Sequence, residues 1–187
     1  MSMPQAAELV LMVAVVPLWI FAGLADWWCH RRTGIEHTSG LPENIFHWFL
    51  LGEAGLALLA VALLEINAAV LLVVFAAFLA HELTTYLELR YTVPLRDVRP
   101  LEQMIHSFME LLPLVVLVLL ALMKWDQVLA LFDEGTPDFD LRPKDDPWPA
   151  GYLVWMASAV TLFNLLPMAE EGLRCLRSRT PRHPGPT

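Results

Sequence analysis

Apolar residues run through this chain in five long stretches. They show neither the period-two alternation of a half-buried strand nor the polar face of a surface helix. The stretches extend from about Ala6 to Trp28, Asn44 to Leu64, Ala68 to Leu89, Leu101 to Met123 and Pro149 to Met168. Each is close to the roughly 20 residues that a helix needs to cross hydrocarbon. The expected fold is an all-α integral membrane protein with five transmembrane helices. Residues 1–174 form one domain, and 175–187 are expected to be a disordered polar tail. The first stretch lacks a basic leader and a small-residue cleavage site, so it reads as a retained helix.

The polar interruptions set the connections. Only Glu65, Ile66 and Asn67 separate the second and third stretches, which predicts a tight helical hairpin. Gly34, Gly40 and Pro42 break the chain between the first and second, and Pro94 and Pro100 between the third and fourth. A longer acidic stretch from Asp126 to Asp146 precedes the fifth, and DQVLALFDE within it suits one or two further helical turns. Arginines follow the first stretch (Arg31, Arg32), the third (Arg90, Arg96, Arg99) and the fifth (Arg174, Arg177, Arg179, Arg182). With five crossings these clusters fall on one side. The positive-inside rule makes that side cytoplasmic, with the N-terminus outside, the C-terminus inside and the chain in the inner membrane.

Composition agrees with that reading. Hydrophobic residues make up 57% of the chain and charged residues 17%, against about a quarter charged in a soluble domain. A net charge of −8 without a basic stripe excludes a nucleic-acid partner. The two cysteines, Cys29 and Cys175, form neither a disulfide framework nor a CxxC motif. The tryptophans cluster near stretch ends as an interfacial belt, and Asn164 reads as a structural hydrogen bond. HExxH, GxGxxG, Walker A and GxSxG patterns are absent.

Against this background the ionisable residues inside the apolar stretches stand out, because charge within a membrane is costly and usually functional. Asp26 and His30 end the first stretch, and His47 and Glu53 lie in the second. The third carries His81, Glu82 and Glu88, and the fourth Glu102, His106 and Glu110. At 1.5 Å per residue, His106 lies roughly 7 Å, and His81 and Glu110 roughly 13 Å, from the basic end. Residues of four helices thus share one slab in the cytoplasmic half. The expected core is a four-helix bundle around that slab, with the fifth helix flanking it.

Steps of four residues place Asp26 with His30, and Glu102 with His106 and Glu110, on shared helix faces. Imidazole with carboxylate suits iron, manganese or zinc and not a soft copper site. Asp26, His30, His47, Glu53, His81, Glu102, His106 and Glu110 are the candidate ligands for one or two transition-metal ions, iron first, with zinc or manganese as alternatives. Glu82 and Tyr86, on a neighbouring face of the third helix, are the candidate catalytic residues. Glu36, Glu43 and Glu88 read as boundary groups that meet headgroups or hydrogen-bond between helices.

This mixture of His and Glu on membrane helices near one face resembles membrane di-iron carboxylate enzymes such as the alternative oxidases. The Glu-x-x-His motifs of those enzymes are not present, nor are the histidine boxes of membrane desaturases. The resemblance implies oxygen-dependent oxidation of a hydrophobic or amphiphilic substrate from the lipid bilayer, with an electron-donor protein meeting the cytoplasmic face. Two other readings fit the same residues. One is a zinc-dependent intramembrane hydrolase. The other is a non-enzymatic ion or proton transporter, or a subunit of a redox complex.

Overall fold

In a computed structural model of the chain, residues 2–178 are described. Five helices are long and apolar enough to cross a membrane: α1 Met3–Thr33, α2 Leu41–Leu63, α3 Ala68–Thr92, α4 Pro100–Met123 and α6 Ala150–Arg177. A short helix, α5 Trp125–Ala130, follows α4. No strand occurs among the described residues, and the fold is that of an all-α membrane protein. Large apolar side chains face outward along all five long helices; Phe21, Phe49, Leu79, Leu122 and Val154 are examples. Water would not tolerate such a surface, whereas lipid requires it.

Small residues let the helices approach. Ala57, Ala60, Val61 and Ala62 of α2 are buried, as are Val70, Val74 and Ala77 of α3, and these two helices form the most extensive pairing in the fold. At the hairpin between them, Asn67 caps α3 by accepting from the backbone N–H of Val70 at 3.1 Å. The acidic loop crosses this hairpin. Glu65 N–H donates to Arg142 O at 3.0 Å, and Lys144 N–H to Leu63 O at 2.9 Å.

Two π-helical turns interrupt the crossings, Leu11–Val15 in α1 and Thr161–Leu165 in α6. The second aims Asn164 at α1, where its Nδ2 donates to Ile20 O at 3.1 Å. Gly23 makes that approach possible, since a Cβ there would lie 2.3 Å from Asn164 Nδ2. Gly23→Ala is therefore expected to cost about 1 to 3 kcal/mol, read as a lower melting temperature in detergent. An unchanged melting temperature would mean that the α1–α6 contact can slip without penalty.

Two expectations need correction. The last helix does not end near Met168 but continues to Arg177, so Cys175 to Arg177 are helical and not tail. Nothing breaks the helix after Leu166: Pro167 falls where its missing N–H does least harm, and LPMAEEGLRCLR is amphipathic. Residues 179–187, with Arg179, Arg182 and His183, lie outside the described residues. The last helix also does more than flank. It packs on both α1 and α2 near the basic end of the bundle.

Candidate metal centre

Three local features build the site at the basic end. Helix α1 closes on Gly34, whose φ of 68° is left-handed, and leaves His30 in its last turn. There an imidazole meets the negative end of the helix dipole. Gly40 at φ 65° then turns the chain into α2, where Glu43 lies in the first turn behind Pro42. Helix α4 starts the same way, with Pro100 followed by Glu102 in its first turn. Proline suits the start of a helix, and a carboxylate is stabilised there. Two helix N-termini thus present Glu43 and Glu102 to a histidine at a helix C-terminus.

His30 is completely buried and is the centre of the cluster. Its Nδ1 lies 3.1 Å from Glu171 Oε2 of α6. An ionised Glu171 would accept from Nδ1–H. On the other side of the ring, Nε2 faces Glu102 Oε1 at 3.3 Å, Asp26 Oδ1 at 3.4 Å and Glu43 Oε1 at 3.7 Å. Among the described residues this nitrogen has no hydrogen-bond partner. The same Asp26 oxygen lies 2.8 Å from His106 Nε2. The His47 ring stacks on His30 with centroids 4.7 Å apart, and its Nδ1 lies 3.5 Å from Glu171 Oε1.

Two groups of side chains have ligand atoms close enough to share a metal ion: Asp26, His30, Glu102 and His106, and beside them His30, Glu43 and His47. Four carboxylates, from Asp26, Glu43, Glu102 and Glu171, crowd this volume, each at most 6% exposed. The one guanidinium bonded to them among the described residues is Arg96, from the loop between α3 and α4, which donates to both Glu43 and Glu102. Burial alone would lower the pKa of Arg96, but its bonds to Glu43 and Glu102 outweigh burial and raise it. Arg96 stays charged, and Tyr91 and Ser39 close the same corner: Ser39 bonds the Glu43 carboxylate, and Tyr91 donates to Ser39 O at 3.0 Å.

The structure divides the candidate residues. Asp26, His30, His47, Glu102 and His106 come together. Glu53 and His81 do not join them; they face each other deeper in the bundle, with Glu53 Oε2 at 3.7 Å from His81 Nδ1. Glu110 is half-buried and belongs to neither of these two groups. Each four-residue step turns a helix by about 40°, so Glu110 lies roughly 80° round from Glu102. Glu82 and Tyr86 are exposed, and Tyr86 is 60% accessible. They line neither of the cavities described below, because they point away from the face that buries His81.

Of three residues read from the sequence as boundary groups, two behave otherwise. Glu43 lies in the cluster. Glu88 is 3% exposed, with one carboxylate oxygen that has no partner among the described residues. Glu36 pairs with Arg174 of α6, as that reading allows. Glu171 and Arg96 were missed as site residues. The signal for Glu171 was the acidic pair Glu170–Glu171 set one turn before Arg174, in a segment that keeps helical amphipathicity. Asn44 holds Glu171 in place, with Nδ2 donating to its Oε1 at 3.0 Å.

No family model matches this chain, and neither the curated proteins nor the solved structures provide a match.

Proposed function

We propose that the His30 cluster is a transition-metal centre and that the protein is a membrane-embedded, metal-dependent oxidoreductase acting on a hydrophobic or amphiphilic molecule from the lipid phase. One observation carries the metal: the buried, unpartnered Nε2 of His30, facing three carboxylate oxygens at 3.3 to 3.7 Å. Ligand atoms about 2.1 Å from one ion lie about 3.0 to 3.5 Å from each other. The spacing here is close to that, and if His30 is neutral, the lone pair of Nε2 is set against these carboxylates unless a cation lies between them.

Glu171 behind His30 has the place of the carboxylate that orients a ligating imidazole and raises its basicity. Asp26, His30, Glu102 and His106 supply two imidazoles and two carboxylates, a set that suits iron and leaves room for a further ligand. The adjacent Glu43 and His47 are the place for a second ion. Such a centre supplies Lewis acidity or, with iron, electron transfer and oxygen activation. The residues of the chain hold it and open it toward an apolar cavity lined by Trp19, Leu50 and Leu58. The basic end would face the cytoplasm, where an electron donor can reach it.

A second reading draws on the charge count. Four carboxylates against Arg96 leave an excess of three negative charges, which protons on His30, His47 and His106 would balance. That would suit a proton path. It would also charge two rings stacked 4.7 Å apart, which is unfavourable.

Metal analysis of protein purified in mild detergent and reconstituted with iron, zinc or manganese separates the readings. One or two equivalents of iron, with oxygen uptake on adding reductant and a lipid substrate, is the expected result. Zinc without oxygen uptake would point to the hydrolase. Less than about 0.3 equivalents of every metal would overturn the centre, since folding and metal binding should be coupled in so acidic a cluster.

A further inference from the structure

A cavity of about 110 Å³ runs from the metal-binding cluster into the bundle between α1, α2 and α6. Asp26, His30, His47 and Glu171 wall one end; Trp19, Leu50, Leu58 and Val160 make the middle apolar. His81 lies on its lining, and a smaller cavity behind it is lined by both His81 and Glu53. Helix α2 packs closely on the part of α6 from Leu166 onward but has no comparable contact with its first half. The wall is therefore thinnest toward the lipid between those two helices.

The wall around His81, shared by the two cavities, carries unspent polarity. His81 is 4% exposed, and its Nδ1 has no hydrogen-bond partner among the described residues. Glu53 keeps its Oε1 on Thr84 Oγ1 at 2.7 Å, while its Oε2 is buried and without a partner. At 3.7 Å the two unpartnered atoms are too far apart to bond each other, yet both can bond one small group between them. Buried polar atoms are seldom left unpaired without a use.

We infer that His81 and Glu53 form a hydroxyl-binding subsite where this cavity meets the smaller one, and that its ligand is an apolar alcohol whose chain lies along the larger cavity toward His30. The assignment names the substrate class of the proposed oxidoreductase and rests on that reading for its role in turnover. A hydroxyl donates to the Glu53 carboxylate and accepts from, or shares a proton with, His81. A ketone or ester carbonyl only accepts, so it satisfies whichever of the two atoms carries a proton and leaves the other unpaired, whereas a hydroxyl serves both. Water can bond the same two atoms, but the apolar length of the cavity beyond them suits a ligand that carries a hydrocarbon chain. The anchor holds the hydroxyl away from His30, so methylene groups and not the oxygen lie against the cluster.

The test is retention of 1-dodecanol, dodecane and 2-dodecanone by the protein as purified in nanodiscs, without reductant, corrected for empty nanodiscs. Wild type is expected to retain the alcohol about tenfold over the alkane and the ketone, the scale of one hydrogen bond to a charged group. His81→Leu and Glu53→Leu should bring the alcohol down to the alkane level while metal content in reconstituted samples stays at that of wild type. His81→Gln, which keeps a donor and an acceptor, should restore part of the preference and guards against a folding artefact. Equal retention of alcohol and alkane by wild type would show that water alone fills the subsite and would overturn the assignment. Equal retention of ketone and alcohol would overturn the hydroxyl. Loss of metal in wild type with alcohol retention intact would remove the metal centre and leave this subsite standing.

Discussion

His30→Ala is expected to abolish metal binding and to destabilise the fold in the same sample. The ring is the one group that touches Asp26, Glu43, Glu102 and Glu171 together. Without it, and without the ion it would hold, these buried carboxylates face one another with only Arg96 as counter-charge. Removing one partner from a buried ionic cluster costs about 3 to 5 kcal/mol. Metal content and melting temperature should therefore fall together. Glu110→Ala is the control: it lies outside both metal-binding groups and should keep metal and most of its stability. Full metal occupancy with a wild-type melting temperature in His30→Ala would remove the histidine from the centre, and the reading built on its unpartnered Nε2 would go with it.

Arg96→Ala is expected to have an effect of similar size for a different reason. The Arg96 side chain is 4% exposed, and its guanidinium is shared by Glu43 and Glu102, each 0% exposed. Truncation leaves two carboxylates buried at the N-terminal turns of α2 and α4, where the helix dipoles supply only part of the missing charge. A loss of about 3 to 5 kcal/mol follows. Arg96→Lys should recover only part, because an ammonium is a point charge and cannot spread several donors over two carboxylates as a guanidinium does. If a metal ion shares these acids, saturating metal should raise the melting temperature of Arg96→Ala more than that of wild type. An equal rise in both would mean that Arg96 and the ion neutralise separate groups.

Much of this was legible in the chain because a bilayer leaves few choices. A backbone in hydrocarbon must satisfy its own hydrogen bonds, so five apolar runs of this length become five helices whatever their packing. The tight turn at Glu65–Asn67 and the four-residue step from Asp26 to His30 are local geometry, and they survive unchanged. The boundaries moved where polarity misled. Glu171 was hidden because hydropathy falls after Met168, while the helix, which answers to backbone hydrogen bonds, continues to Arg177.

Depth along each helix could be read from the sequence; rotation and partner could not. His81 and Glu110 were expected in the same slab as His106, yet neither joins it, because residues in one slab meet only if their helices turn the right faces toward each other. His81 is turned to Glu53 across the closely packed α2–α3 pair. The sequence by itself determined the membrane class, the number of crossings and the shared helix faces of Asp26 with His30 and of Glu102 with His106, since each follows from hydropathy or helical period. Only the tertiary structure decided that Glu43, Arg96 and Glu171 complete the centre and that Glu53 and His81 form a separate pair. Those groups reach the site, or are kept from it, by loop direction and helix rotation, and no periodicity along one chain records either.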